Sequence, residues 1–168
     1  VPIQVGEARL TLMSFHATTP VFDGPEDRNG RRNHDEIVFW RHVLDGQFGP
    51  APEPPFVIAG NANLDPVDGE GRKAAILNLL GDPRLQDPRP RGPPRDPGAP
   101  NTPGHAGDPT LDTVSWPVPG NLRVSYILPS AEMGVAGAGV HWPLDGPEAD
   151  LVAEASRHRL IWVDVTLD

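Results

Sequence analysis

The sequence predicts an α+β chain built on an α/β-type mixed sheet with helices on one of its faces. Three observations carry this: strand patterns recur from one end of the chain to the other, two segments switch to helical spacing, and the elements run β-β-α-β-α-loop-β-β-α-β. At 168 residues the chain can bury one sizeable core but is short for two, so a single domain over 1–168 is expected. The 22 prolines and 18 glycines make it rich in loops.

The first strand is read at Ala8–His16 (ARLTLMSFH), where Leu10, Leu12 and Ser14 alternate with Thr11, Met13 and Phe15, and it is hairpinned to Pro2–Val5. Residues 17–32 hold the turn formers of an ordered loop. Asn33 with Glu36 has the form of a capping box, and Ile37, Trp40 and Leu44 follow at helical spacing, so a helix is expected over 34–45. Pro55–Gly60 (PFVIAG) is a short apolar run of the kind a fully buried strand shows. Asp68 can cap a second helix over 70–80, with Ala74, Leu77 and Leu80 on its apolar face and Gly81 ending it.

Residues 82–120 hold eleven prolines and no period, which predicts a long Pro-rich loop, either a site loop or loosely packed. Strands are then expected at 122–128, 133–142 and 160–167, with a short helix over 148–155.

The formal charge of −9 repels a phosphate backbone, so tight nucleic-acid binding without a metal is not expected. No run of about 18 apolar residues marks a membrane span, and Val1–Val5 is too short and too polar for the apolar region of a signal peptide. The absence of cysteine excludes disulfides, thiolate metal sites and a cysteine nucleophile. It leaves the compartment open, a secreted or periplasmic origin included. A start at Val1 inside a strand pattern suggests a processed or truncated N-terminus, with a numbering choice or a lost initiator Met as the alternative.

Chemistry is concentrated where strands end. In Phe56–Pro66 (FVIAGNANLDP) the extended chain delivers Asn61 and Asn63 to the same side of its carboxyl end, where sites in such sheets commonly lie. An Asx-rich turn closing the strand is the plain alternative.

Ser14–Phe15–His16, Gly60–Asn61–Ala62–Asn63, Arg123–Val124–Ser125–Tyr126 and Ser156–Arg157–His158 occur in this order. Together they resemble the endonuclease/exonuclease/phosphatase superfamily, which includes the DNase I-like nucleases. Its members have a strand ending in His, a Gly-Asp-x-Asn motif, an Arg-x-Asp-Tyr strand and a Ser-Asp-His motif before the final strand. The loop VFDGPEDRNGRRNHDE is similar to that of a bacterial branch of the family, and the resemblance spans nearly the whole chain.

The resemblance implies the C-terminal half of a four-layer α-β-β-α sandwich. It also implies phosphoester hydrolysis assisted by a divalent cation, Mg²⁺ or Mn²⁺, with His16 and His158 as the acid/base histidines and Asn63 as the motif amide. Asn61, Ser125 and Arg157 stand where the family has Asp. An amide is neutral and cannot supply the charge that holds Mg²⁺, while Arg157 favours an anion directly. Asn61 therefore stays in the expected catalytic set with His16, Asn63 and His158, and Ser125 and Arg157 are expected to bind substrate.

The family's first half supplies an Asn and a metal-binding Glu that this chain lacks, which would leave the inner sheet face bare. Val57, Ala59, Val124, Tyr126, Ile161 or their alternates must then meet a homodimer partner or a missing N-terminal half.

Four other histidines have weaker claims. His42 reads as a helix packing residue, His34 could touch the site loop, and His105 and His141 are isolated candidate ligands. Arg84, Arg89, Arg91 and Arg95 lie among Asp82, Asp87 and Asp96 and read as a solvated loop. Three functions remain open: a metal-dependent hydrolase of a small phosphoester, weakened or incomplete; a disabled relative kept for binding or assembly; and new hydrolytic chemistry on the histidines with a transition metal that prefers imidazole.

Overall fold

The computed structural model describes residues 1–93 and 104–167. In chain order its strands are β1 (Pro2–Val5), β2 (Ala8–His16), β3 (Phe56–Asn61), β4 (Val114–Ser115), β5 (Asn121–Leu122), β6 (Ser125–Pro129), β7 (Gly134–His141) and β8 (Leu160–Thr166). Its helices are α1 (Arg28–Leu44), α2 (Ala74–Leu80) and α3 (Gly146–Ala155). The mixed α+β class is that expected.

The central sheet runs β1-β2-β3-β6, with β2 and β3 parallel and the other pairs antiparallel. Strand alternation divides its side chains between two faces. Met13, Ile58 and Leu128 are register partners across β2, β3 and β6, and this face packs with Phe56 and Tyr126 against Ile37, Trp40 and Leu44 of α1 and Ile76 and Leu79 of α2. The other face carries the rows Leu12–Val57–Pro129, Ser14–Ala59–Ile127 and His16–Asn61–Ser125. β4–β5 and β7–β8 form separate antiparallel pairs. In β7, Gly137 and Gly139 lie against the Trp162 ring of β8, and a Cβ at Gly139 would come within 2.8 Å of it. No helix among the described residues is long and apolar enough to cross a membrane.

Several elements differ from expectation. α1 begins at Arg28, not near residue 34, because Gly30 and Asn33 act inside the helix and not as turn formers. A Cβ at Gly30 would lie 1.9 Å from Asp27 Oδ1, so glycine lets the Asp27 carboxylate fold onto the first turn. Asn33 is fully buried and its side chain bonds outside the helix, so it does not open a capping box.

α2 starts at Ala74, since Gly69 and Gly71 hold left-handed backbone before it (φ +67 and +117). Asp68 does not cap it, and accepts the Ala106 and Gly107 N–H groups instead. The helix buries Ala75, Ile76 and Leu79 and leaves Leu77 51% exposed, the reverse of the face expected.

The described part of 82–120 is built in, not loose. Leu85 bridges Ser130, Arg91 bridges Gly139, Pro109–Leu111 forms a 3-10 turn capped by Asp108, and Asp112, Thr113 and Val114 are buried. Two of its arginines hold this path: Arg84 clasps the buried Asp82 and the exposed Asp45, and Arg91 pairs with Asp108. Arg95 and Asp96 lie outside the described residues.

The strand expected at 122–128 breaks at Arg123 and Val124. There Asp65 accepts the Arg123 N–H, and the Thr113 hydroxyl accepts those of Val124 and Ser125 at 2.9 and 3.0 Å.

Candidate functional site

Register brings the first three site residues together. His16 ends β2, Asn61 ends β3 and Ser125 opens β6, and they are direct partners across the three strands. Gly60 makes the approach of β2 and β3 possible here, because a Cβ on it would lie 2.1 Å from the Phe15 carbonyl oxygen. Asn63 follows in left-handed backbone (φ 50), a conformation asparagine tolerates better than most residues.

The two amides and the imidazole form a closed mesh. The Asn63 backbone N–H donates to Asn61 Oδ1 at 2.8 Å, which fixes the Asn61 amide with its NH₂ toward the centre. Asn63 Nδ2 donates to the Ala17 carbonyl at 2.8 Å, which fixes the second amide. Asn61 Nδ2 gives one hydrogen to Asn63 Oδ1 at 3.1 Å, and both amide nitrogens stand 3.3 Å from His16 Nε2. Nε2 can take these hydrogens only as an acceptor, with the ring proton on Nδ1, and its single lone pair is then shared between the two amides.

A second layer holds the mesh in place. Asn33 Nδ2 donates to the Thr18 and Ala62 carbonyls at 2.7 and 2.8 Å, tying α1 to the loops after β2 and β3. Glu36 accepts the Thr18 N–H. Burial alone would raise the Glu36 pKa, but the bonds from Thr18 and Arg32 outweigh it and hold the carboxyl below its ordinary value. The buried Tyr126 hydroxyl lies 2.9 and 2.8 Å from the carbonyls of Leu64 and Arg123. Asp65 gathers the N–H groups of Val67, Asp68 and Arg123. Asp65 and Tyr126 lie in segments the sequence marks for the site, Phe56–Pro66 and Arg123–Tyr126, without a role there, and Asn33 and Glu36 lie outside them. Asn33 had one signal: it continues the buried period Asn33, Ile37, Trp40, Leu44 backward through α1.

His158 arrives from the other side. Its segment pairs with the β4 region, where Val114 bridges His158 and the Arg159 N–H donates to Thr113 at 2.8 Å. Its ring meets Trp116 edge-on at 5.5 Å, and the Arg157 guanidinium lies 5.9 Å from the Trp116 ring centre. Burial depresses the His158 pKa, and the charges of His16 and Arg159 depress it further, so the two histidines are within electrostatic reach. Arg157 stacks on Trp116 beside His158 and makes no hydrogen bond to the row.

The remaining candidates have structural partners. His34 bonds Asp35 at 2.9 Å, His42 packs near Phe48, His105 lies between Asp112 (3.1 Å) and Asp68 (3.4 Å), and His141 faces Glu148 at 3.3 Å. Among the described residues no three His, Asp or Glu side chains form a group able to hold a metal ion. The donor chemistry agrees: Asn61 Oδ1 is taken by a backbone N–H, and Asp65 is taken by three. The residues at the row do not fit a divalent cation.

Two cavities meet the mesh. One of about 880 Å³ opens on His16 and runs along α1 past Arg28, Arg32, Phe39 and Trp40. The other, about 780 Å³, opens on Asn63 between the loops that carry Phe22 and Trp116.

Residues 3–158 match the model of the Endonuclease/Exonuclease/phosphatase family. Among solved structures, an endonuclease/exonuclease/phosphatase from Beutenbergia cavernae DSM 12333 is similar at 20% identity and a TM-score of 0.60, over 99% of this chain and 38% of that one. Sphingomyelinase C from Streptomyces griseocarneus is similar at 15% identity and a TM-score of 0.47, over 97% of this chain and 52% of that one. The mannosyl-6-phosphatase Bt3783 from Bacteroides thetaiotaomicron VPI-5482 gives 13% identity and 0.46, over 95% and 52%. The chain thus spans between about two fifths and half the length of these proteins. No curated protein sequence matches it.

Proposed function

The chain belongs to the endonuclease/exonuclease/phosphatase family, and from that premise we propose that it binds a small phosphoester at the His16–Asn61–Ser125 row and hydrolyses it slowly. The observation that carries this reading is the mesh in which Asn61 and Asn63 present their NH₂ groups to His16 Nε2. A phosphoryl oxygen is a stronger hydrogen-bond acceptor than an imidazole nitrogen, so it can take those hydrogens over. Nε2 is then released as a base for water. The water oxygen bonds phosphorus as the bond from phosphorus to the alcohol oxygen breaks, and the proton taken by Nε2 passes on to that departing oxygen. Ser125 adds a hydroxyl beside Asn61, and His158, held neutral near pH 7 by its depressed pKa, adds no charge of its own beside the row.

Magnitudes argue for slow turnover. A positioned base contributes roughly 10²–10⁴-fold, whereas full enzymes reach about 10⁶-fold or more, and metal electrostatics supplies several kcal/mol of the difference in enzymes that use it. Family members usually use a divalent cation. In this chain a cation would need carboxylates beyond the described residues, so ester binding at the row is expected to survive a chelator. The replacement of carboxylate positions by Asn61, Ser125 and Arg157 also favours a second reading, a relative kept for binding alone.

The partner expected for the sheet's open face is narrowed in this reading. Val57, Val124 and Tyr126 are already buried within the chain and need none. Leu12, Ala59 and Ile127 remain partly exposed on the face opposite α1 and α2, and a second copy of the chain packed there by two-fold symmetry is the proposed cover.

The ester-binding step is tested by ¹⁵N NMR of the histidine rings during titration with methylphosphonate in excess EDTA. The expected result is a non-protonated His16 Nε2 in the free protein whose resonance moves on binding. Protonation at Nε2 in the free neutral ring, or no response to the phosphonate, defeats the reading.

A further inference from the structure

We propose that the cavity beside Asn63 is a specificity subsite for the uncharged, apolar alcohol group of a phosphoester, an aryl ring or short alkyl chain. This rests on the phosphoester reading above, with the phosphoryl group at His16, Asn61 and Asn63.

Position is the first argument. Asn63 lines the cavity, and so does Trp116, whose ring also meets His158 edge-on at 5.5 Å. A group leaving phosphorus at the row has this space directly beside it.

Chemistry of the lining is the second. Its polar groups are largely spent on the protein itself: Asp27 pairs with Arg72 at 2.7 Å, Asp65 holds three backbone N–H groups, and Asp23 holds that of Asn29. The apolar groups are not spent. Phe22 is 92% exposed and Val118 85% exposed, and the two line the cavity from different loops. Single exposed hydrophobes need no explanation, but two that flank a cavity with a tryptophan wall make an apolar binding surface.

Phe22 adds a third. Its φ of 70 lies in the left-handed region, where a bulky side chain is strained, and its ring recovers nothing from the core because it packs on none of it. A residue so placed gains contacts only when something fills the cavity.

Charge excludes the obvious competitor. The carboxylates of Asp23, Asp27, Asp65 and Glu70 outnumber the Arg72 guanidinium around the lining, which opposes a second phosphate and hence a nucleotide or polyphosphate.

The test compares methylphosphonate with phenylphosphonate by calorimetry, on the full chain and on Phe22→Asn and Val118→Asp. Asparagine suits the left-handed backbone at 22, and both positions are exposed, so neither change threatens the fold. The expected result is phenylphosphonate binding at least tenfold tighter than methylphosphonate, with that ratio falling below about threefold in either variant. If methylphosphonate binds and the phenyl group adds nothing, the subsite is wrong while the phosphoester reading stands. A phenyl gain that survives both variants places the ring elsewhere and also overturns it. If neither phosphonate binds, both ideas fall together.

Discussion

The amide of Asn33, buried in the middle of α1, donates to the carbonyl of Ala62, the residue between the two asparagines of the site, at 2.8 Å. The same nitrogen donates to Thr18, just past His16. One side chain thus sets the spacing between the ends of β2 and β3. Asn33→Ala leaves both carbonyls without this partner, and each such loss costs about 1–3 kcal/mol. Thermal unfolding should show a large fall in Tm. Asn33→Asp should be worse than alanine, because it turns a carboxylate toward two carbonyl oxygens. An aspartate variant as stable as wild type would mean that the clamp does not exist.

Gly60 lets the Phe15 carbonyl sit where any Cβ would be, 2.1 Å from it. Gly60→Ala must therefore push β2 and β3 apart at the level of His16. The expected cost is about 2–4 kcal/mol, in the range of overpacked and strained cores. Chemical shifts of His16 should move with it. A variant with wild-type denaturant midpoint would contradict the close approach.

His158 gives a pH dependence with a definite sign. Its folded pKa is depressed, first by burial and then by the charges of His16 and Arg159, so the unfolded chain binds the proton more readily. Stability should be greatest above the ordinary histidine value near 6.5 and should fall as pH drops through that value toward the lower folded pKa. His158→Gln should flatten this part of the stability profile measured by urea unfolding between about pH 5 and 8. A profile that keeps its slope in the variant assigns the effect elsewhere.

The proposed two-fold pairing predicts a particle of twice 18.1 kDa at micromolar concentration by light scattering. Leu12→Glu, on the partly exposed face, should return it to the monomer. A wild-type monomer rules out the pairing.

Much of the fold was legible because period and strand ends are written locally. The alternation of Ala8–His16 and the spacing Ile37, Trp40, Leu44 appear as read, and the run Pro55–Gly60 is a strand shifted by one residue, Phe56–Asn61. What misled was residue type taken without its tertiary partner. Asn33 and Glu36 look like a capping box, yet both reach across to Thr18. Asp68 looks like a cap, yet it binds a loop some forty residues away. The prolines of 82–120 suggested loose chain, yet Asp82, Asp108 and Thr113 give that path its partners. At the site, motif order led to His16, Asn61, Asn63 and Ser125, which strand register gathers into one place. The orientation of the amides followed only from their backbone partners.

In the proposed reaction His16 supports phosphoester hydrolysis without a cation at the row. Turnover of p-nitrophenyl phosphate and bis-p-nitrophenyl phosphate, measured for the wild type and His16→Gln with and without excess EDTA, decides whether it does. The expected result is slow turnover that EDTA leaves within about twofold and that His16→Gln lowers by roughly 10²-fold, the contribution of a positioned base. Fast turnover abolished by EDTA, or turnover indifferent to His16→Gln, would contradict it.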